Sequence, residues 1–268
     1  MNAPTSSTQL EPLVLRAQAD GIVRLTLNRP SQFNSLSEEM LAALSAELDA
    51  VAADASARVV VIAGSGKAFC AGHDLKQMKA SPQLDYYRQL FADCAKLMMK
   101  IQRLPQPVIA RVHGIATAAG CQLVAMCDLA VAADVAKFAV SGINVGLFCA
   151  TPGVALSRNV TRKQAFEMLV TGEFIDAATA RERGLVNRVV PLDALDAEVE
   201  RLAHAIVAKP QVAIAMGKEM FYKQLEMGIE AAYQLAGQTM ACNMVDEVAQ
   251  EGVDAFMNKR RPRWAPPA

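Results

Sequence analysis

Residues Arg111 to Asp128 read R-V-H-G-I-A-T-A-A-G-C-Q-L-V-A-M-C-D. The apolar run from Pro107 to Val112 predicts a buried strand, Gly114 allows a turn, and from Ala118 small and apolar residues open a helix with no large side chain at its mouth. The first amides of a helix have no intrahelical acceptor and lie at the positive end of its dipole. A mouth lined by Ala118, Ala119 and Gly120 therefore suits a carbonyl oxygen as it gains negative charge. Small residues at a helix start also serve close helix packing, so this stretch alone leaves both roles open.

On its N-terminal side the pattern alternates between strand and helix. V-L-R-A-Q-A-D-G-I-V-R-L-T-L-N, from Val14, predicts two strands turning at Asp20-Gly21, with Val23, Leu25 and Leu27 on one face and Ile22, Arg24 and Thr26 on the other. Ser37 is a good N-cap for a helix in which Met40, Leu41, Leu44 and Leu48 recur at helical spacing. Arg58 to Ala63 predicts a strand apolar on both faces, as a parallel sheet covered by helices requires. Strand, helix, strand is the order of a right-handed crossover. Gly64 to Leu75, G-S-G-K-A-F-C-A-G-H-D-L, then lies at the carboxyl end of a parallel strand, where ligands tend to bind. It is not a phosphate loop, because Gly66-Lys67 is followed by Ala68 and not by Ser or Thr. A helix over Asp85 to Leu104 follows an irregular span at Ser81-Pro82, and Asp128 to Ala133 and Phe138 to Val140 predict further strands. Beyond Thr151 the pattern is helical, and no internal sequence repeat is found.

A chain of 268 residues with 53% hydrophobic content can bury a full core as one large domain, or one domain with an appendage. The formal charge is zero, from 27 basic and 27 acidic residues, with no basic block before Lys259, Arg260, Arg261 and Arg263. Nucleic acid is therefore not an expected partner. The six cysteines lie mostly in apolar runs without C-x-x-C spacing, so they read as reduced core residues of a cytoplasmic protein. No apolar run reaches membrane-spanning length, and the first dozen residues, M-N-A-P-T-S-S-T-Q-L-E-P, read as a mobile tail and not as a signal peptide. No His/Cys/carboxylate cluster has ligand spacing, so neither a metal nor a redox cofactor is expected.

Several motifs in order resemble the crotonase family, the enoyl-CoA hydratase/isomerase superfamily, from about Val14 to Arg263. L-N-R-P-S-Q-F-N-S-L-S resembles the family's first substrate loop, A-F-C-A-G-H-D-L its A-G-x-D-L loop, and H-G-I-A-T-A-A-G-C-Q-L-V its G-G-G-[CA]-E-L helix start. T-P-G-V-A-L-S-R, T-G-E-F-I-D-A-A-T-A with the following G-L-V-N-R-V-V, and F-M-N-K-R-R-P-R-W resemble its later landmarks. A-G-H-D-L and G-L-F-C-x-T-P-G are shared more narrowly with the enoyl-CoA hydratase domain-containing protein 3 subgroup. The resemblance implies an α/β fold, a crotonase-like spiral of β-β-α turns with a C-terminal helical trimerisation region. The expected division is a tail over 1–12, an acyl-CoA-binding spiral over 13–200 and an oligomerisation region over 201–268, assembled as a homotrimer or dimer of trimers.

The same resemblance implies an acyl-CoA enzyme of the lyase/isomerase kind, with coenzyme A entering as part of the substrate. A thioester carbonyl would sit between the backbone amides of His73 and Ala119, forming an oxyanion hole. Arg29, Phe33, Ala71, Gly72, Asp74, Leu75, Thr117, Gly120 and Cys149 are the other expected substrate-site positions, and Phe256 and Lys259 would approach the CoA of a neighbouring subunit. Alanine at 119, where many members have glycine, predicts strain if the backbone there needs positive φ. The two glutamates with which family hydratases grip water are replaced here by Gln122 and Gly142. An amide neither takes nor gives a proton near neutral pH and glycine has no side chain, so crotonyl-CoA hydration is expected to be very slow and restoring both glutamates to raise it. Decarboxylation, thioester hydrolysis and non-catalytic acyl-CoA binding are the alternatives. The backbone of His73 is expected to matter more than its imidazole, Asp74 to tie down its own loop, His113 to be structural, His204 to lie on the surface, and Asp128 and Asp134 to act as caps or surface charges.

Overall fold

The computed structural model describes residues 11–265; apart from Glu11 and Pro12, the tail expected over 1–12 lies outside them. An antiparallel pair, β1 (Val14–Ala19) and β2 (Ile22–Leu27), is followed by helix α1 (Glu38–Ala52). Three similar turns of chain come next, each laying one strand on each of two sheets before returning through helix. β3 (Val59–Gly64) and β4 (Ala68–Cys70) lead into α2 (Leu75–Ala80) and α3 (Leu84–Arg103). β5 (Val108–Val112) and β6 (Ile115–Thr117) lead into α4 (Ala119–Met126). β7 (Leu129–Ala133) and β8 (Lys137–Ala139) lead into α5 (Ala150–Leu156) and α6 (Arg162–Thr171). β9 (Ile175–Asp176), α7 (Ala177–Glu182) and β10 (Arg188–Val190) complete the sheets, and α8 (Leu195–Val207), α9 (Gln211–Gln224), α10 (Ile229–Met244) and α11 (Glu247–Met257) follow. The first sheet has the order β1-β2-β3-β5-β7-β10 and the second β4-β6-β8-β9. β3, β5 and β7 run parallel, as do β4, β6 and β8, so the β-β-α spiral and the α/β class are as expected.

The sheet is apolar on both faces for the reason the sequence gives. Val23, Leu25, Leu27, Val60, Ile62, Val108 and Ala110 point into one core, against Leu44 and Leu48 of α1 and Leu97 and Ile101 of α3. Their alternates Ile22, Val59, Val61, Ile109 and Val131 form a second core under Leu195, Val199 and Ala203 of α8. Because α8 runs through residue 200 while packing on this face, the boundary expected there falls inside a helix that belongs to the spiral. The short strands β4, β6, β9 and β10 show no readable period because each has only two or three residues. The span at Ser81-Pro82 is irregular, as expected, and a helix not foreseen in the sequence precedes it: α2 is capped by Asp74, which accepts from the amides of Lys76 at 3.0 Å and Gln77 at 3.3 Å. Among the described residues no helix is long and apolar enough to cross a membrane.

One buried charge pair fastens the C-terminal helices to the spiral. Lys218 of α9 reaches the carbonyls of Ile101 and Gln106 at 3.0 and 2.9 Å and the Asp128 carboxylate at 2.6 Å. Asp128 also accepts from the Val108 amide at 2.6 Å and the Tyr222 hydroxyl at 2.7 Å, so it is a buried tie and not a surface charge. Removing one partner of a buried pair strands the other, at a cost of about 3–5 kcal/mol. Lys218→Ala is accordingly expected to lower the unfolding free energy by about that amount in urea titration; a loss under about 1 kcal/mol would contradict the tie.

Candidate functional site

The segment Phe33 to Leu36 runs beside Ala71 to Asp74 and holds it in place. The Ala71 amide donates to Phe33 O at 3.0 Å, the Leu36 amide to Gly72 O at 2.7 Å, and the Asp74 amide to Leu36 O at 3.4 Å. Leu36 and His73 thus form an isolated parallel bridge. In that pattern the bonds of the bridge use residues 72 and 74, so the N–H of His73 itself faces the opposite side. Asn34, fully buried, locks the loop by donating to Ser65 O and Ala68 O, each at 2.8 Å, while its own Oδ1 accepts from the Arg29 amide at 2.9 Å.

On that opposite side lies the mouth of α4. Gly72, at φ +91°, allows the close approach: a β-carbon there would stand 2.8 Å from Ala118 Cβ, 3.1 Å from Thr117 O and 3.2 Å from Ala119 N. Gly120 serves the same end from within the helix, since a β-carbon there would lie 2.1 Å from Cys70 O. The strain expected at Ala119 falls one residue earlier, on Ala118, at φ +50° and ψ −121°. A non-glycine residue in such a region costs about 1–3 kcal/mol, and here the Ala118 amide is held by Ala139 O at 3.0 Å. Neither the His73 amide nor the Ala119 amide has an acceptor among the described residues.

Ala71, His73, Leu75, Ala119, Gly142 and Cys149 line one cavity of about 400 Å³. Met78, Phe91, Ala118, Ser141, Val145, Leu147, Phe148, Ala150, Thr151 and Pro152 complete its wall, which carries no Asp, Glu, Lys or Arg. Burial keeps the His73 imidazole below its ordinary pKa, partly opposed by its contact with Leu36 O, and pushes the Cys149 thiol up. Phe91 and Met78 escaped sequence reasoning: they sit on helices between the motifs, and an apolar residue at helical spacing carries no mark of what it faces.

The remaining expected residues stand elsewhere. Arg29, expected at the substrate, is engaged with Asp74 at 2.8 Å. Burial alone would raise the Asp74 pKa, but Arg29 and the amides of α2 more than offset it and hold the carboxyl below its usual range, so Asp74 does tie down its loop. Thr117 shares a hydrogen bond with Ser141 at 2.8 Å, Gly72 and Gly120 pack backbone on backbone, and Phe33 is 54% exposed in a left-handed turn. Gln122 is buried but does not line the cavity, and its Oε1 has no hydrogen-bond partner among the described residues. Phe256 and Lys259 do not line this cavity of their own chain. His113 bonds Gly66 O at 3.0 Å, and His204 lies exposed beside Glu200.

The chain belongs to the enoyl-CoA hydratase/isomerase family, whose model matches residues 17–267. Among its relatives is the enoyl-CoA hydratase domain-containing protein 3, mitochondrial, of Xenopus laevis, 46% identical over 97% of this chain and 88% of the relative. The human protein of that name is 45% identical over 98% and 84%. A crystal structure of human enoyl-CoA hydratase domain-containing protein 3 superposes with TM-score 0.92 at 45% identity, covering 94% of this chain and all of that one. A structure described as enoyl-CoA hydratase from Mycobacterium smegmatis superposes with TM-score 0.94 at 66% identity, covering 95% and 99%.

The geometry at Gly142 opposes the expectation that a glutamate can simply be restored there. A β-carbon would stand 2.5 Å from Leu147 O and 2.7 Å from Cys149 Sγ, so the turn over 142–149 must open to accept one. Gly142→Glu is expected to cost about 1–3 kcal/mol in thermal or urea unfolding and to leave hydration low; wild-type stability would contradict this packing.

Proposed function

We propose that the protein binds acyl-CoA thioesters with the carbonyl oxygen between the amides of His73 and Ala119, and stabilises the enolate-like oxyanion formed during reaction. The observation that carries this reading is the meeting of two unpartnered backbone donors at the wall of an apolar cavity without charged side chains. Fixed donors need no reorganisation as charge develops, and each is typically worth roughly 2.7 to 4 kcal/mol. Leu75, Met78, Val145, Leu147 and Phe148 offer an apolar acyl chain a surface to bury against. Hydration fits poorly, because Gln122 and Gly142 cannot transfer protons and no carboxylate lines the cavity.

Calorimetry with acetyl-CoA, crotonyl-CoA and free CoA is expected to show that the acyl group adds affinity, and a hydration assay to show turnover far below about 10 per second. No binding at either acyl length overturns thioester binding; turnover at or above about 10 per second overturns the reading of positions 122 and 142.

We infer a homotrimer or dimer of trimers. Ile229, Tyr233, Met240, Val245, Phe256 and Met257 on and beside α10 and α11 are 70 to 84% exposed, an apolar area that subunit contact would cover. Light scattering at micromolar concentration is expected to give three or six times the chain mass, and a monomer would overturn the inference. The unpaired cysteines, five of them buried, fit a reducing compartment such as the cytoplasm.

A further inference from the structure

We propose that the His73 imidazole is the proton-moving group of this site, a catalytic residue whose Nε2 takes the α-proton of a bound thioester and delivers it back to carbon. The inference rests on the thioester-binding reading and adds the group that reading lacks. Only two side chains of the cavity wall titrate, His73 and Cys149. The Cys149 sulfur accepts from the Gly142 amide at 3.3 Å, and its raised pKa keeps the thiol protonated near neutrality. Asp74, next in the chain, is held by Arg29 and two helix amides, and the Ser141 and Thr117 hydroxyls are bonded to each other.

The position of the imidazole proton follows from its neighbour. Nδ1 lies 3.4 Å from Leu36 O, and a carbonyl oxygen only accepts, so Nδ1 carries the hydrogen and Nε2 the lone pair. Nε2 is buried and has no partner among the described residues. A buried acceptor left unbonded costs about 1–3 kcal/mol, which a proton taken from substrate restores. The ring packs T-shaped with Phe91, centroids 5.6 Å apart, and both side chains line the cavity that would take the acyl chain. Base and oxyanion donor then belong to one residue, with the amide holding the oxygen while the side chain works at the adjacent carbon.

A 3-enoyl thioester makes the step visible. The Nε2 lone pair bonds to the α-hydrogen, the C–H pair forms the Cα–carbonyl double bond, and the carbonyl π pair moves to the oxygen between the two amides. The oxygen pair then returns, the C3–C4 π pair takes the proton from the imidazolium at the γ-carbon, and the double bond ends between C2 and C3 with neutral His73 restored. No co-reactant is consumed.

The test uses 3-butenoyl-CoA with the full chain, reading binding by calorimetry and conversion to crotonyl-CoA by absorbance. His73→Gln and His73→Ala are expected to bind within threefold of wild type and to lose roughly 10²- to 10⁴-fold in rate, and added imidazole to return part of it to His73→Ala. The wild-type rate is expected to fall as pH drops through a midpoint below the ordinary histidine value, since the neutral form acts and burial lowers that pKa. The neighbouring titratable groups do not produce that midpoint: the Cys149 thiol is raised and Asp74, next in the chain, is lowered. Wild type that binds without converting, variants that convert within threefold of wild type, or variants that lose binding along with rate each overturn the proposal. Wild type that binds no thioester overturns the thioester reading and this one together.

Discussion

Nothing larger than hydrogen fits at residue 120, where a β-carbon would press to 2.1 Å on the Cys70 carbonyl, and little more fits at residue 72. The site depends on that closeness. It brings the end of β4 against the first turn of α4, so that two amides from different turns of the spiral meet at one cavity wall. The cost is local, a strained Ala118 at the helix mouth, and the packed sheets on either side hold it there. An interior that tolerates no voids makes such an arrangement a fixed one, which is the condition for stabilising charge without reorganisation.

Polar ties keep the approach in register. Asn34 binds the first loop to β4, Arg29 fixes Asp74 and through it the start of α2, and Lys218 joins α9 to the end of α3 and the strand pair β5 and β7. Each tie has its polar atoms met by carbonyls, amides or an opposite charge, as burial demands. Six buried side-chain atoms lack a partner among the described residues, and Gln122 Oε1 and His73 Nε2 are the two near the site, the others being Tyr86 Oη, Gln106 Oε1, His113 Nδ1 and Asn243 Nδ2. The family resemblance implies an acid–base group at position 122, and His73 is where the chemistry is proposed.

The fold was legible because its signals are long. The alternation over Val14 to Leu27 and the doubly apolar β3 show strands and a parallel crossover, and the ordered family motifs imply the spiral. Of the strands of two or three residues only β8 was anticipated, at Phe138 to Val140, since no period can show in so short a run, and α2 was missed because six residues carry little helical pattern. At the site, positions inside motifs were found: Ala71, His73, Leu75, Ala119, Gly142 and Cys149 do share a cavity. The Arg29–Asp74 pair spans 45 residues and could not be read locally, and Phe91 was missed because only the packing of α3 reveals what it faces.

The central claim is that two amides polarise a thioester carbonyl in a cavity whose wall carries no Asp, Glu, Lys or Arg, and the carbonyl itself reports on this. An isotope-edited vibrational spectrum of crotonyl-CoA labelled with carbon-13 at C1, bound to the protein, is predicted to show the carbonyl stretch moved to lower frequency than in free solution. A bound ligand whose carbonyl stretch stays at its solution frequency or rises above it would contradict the account.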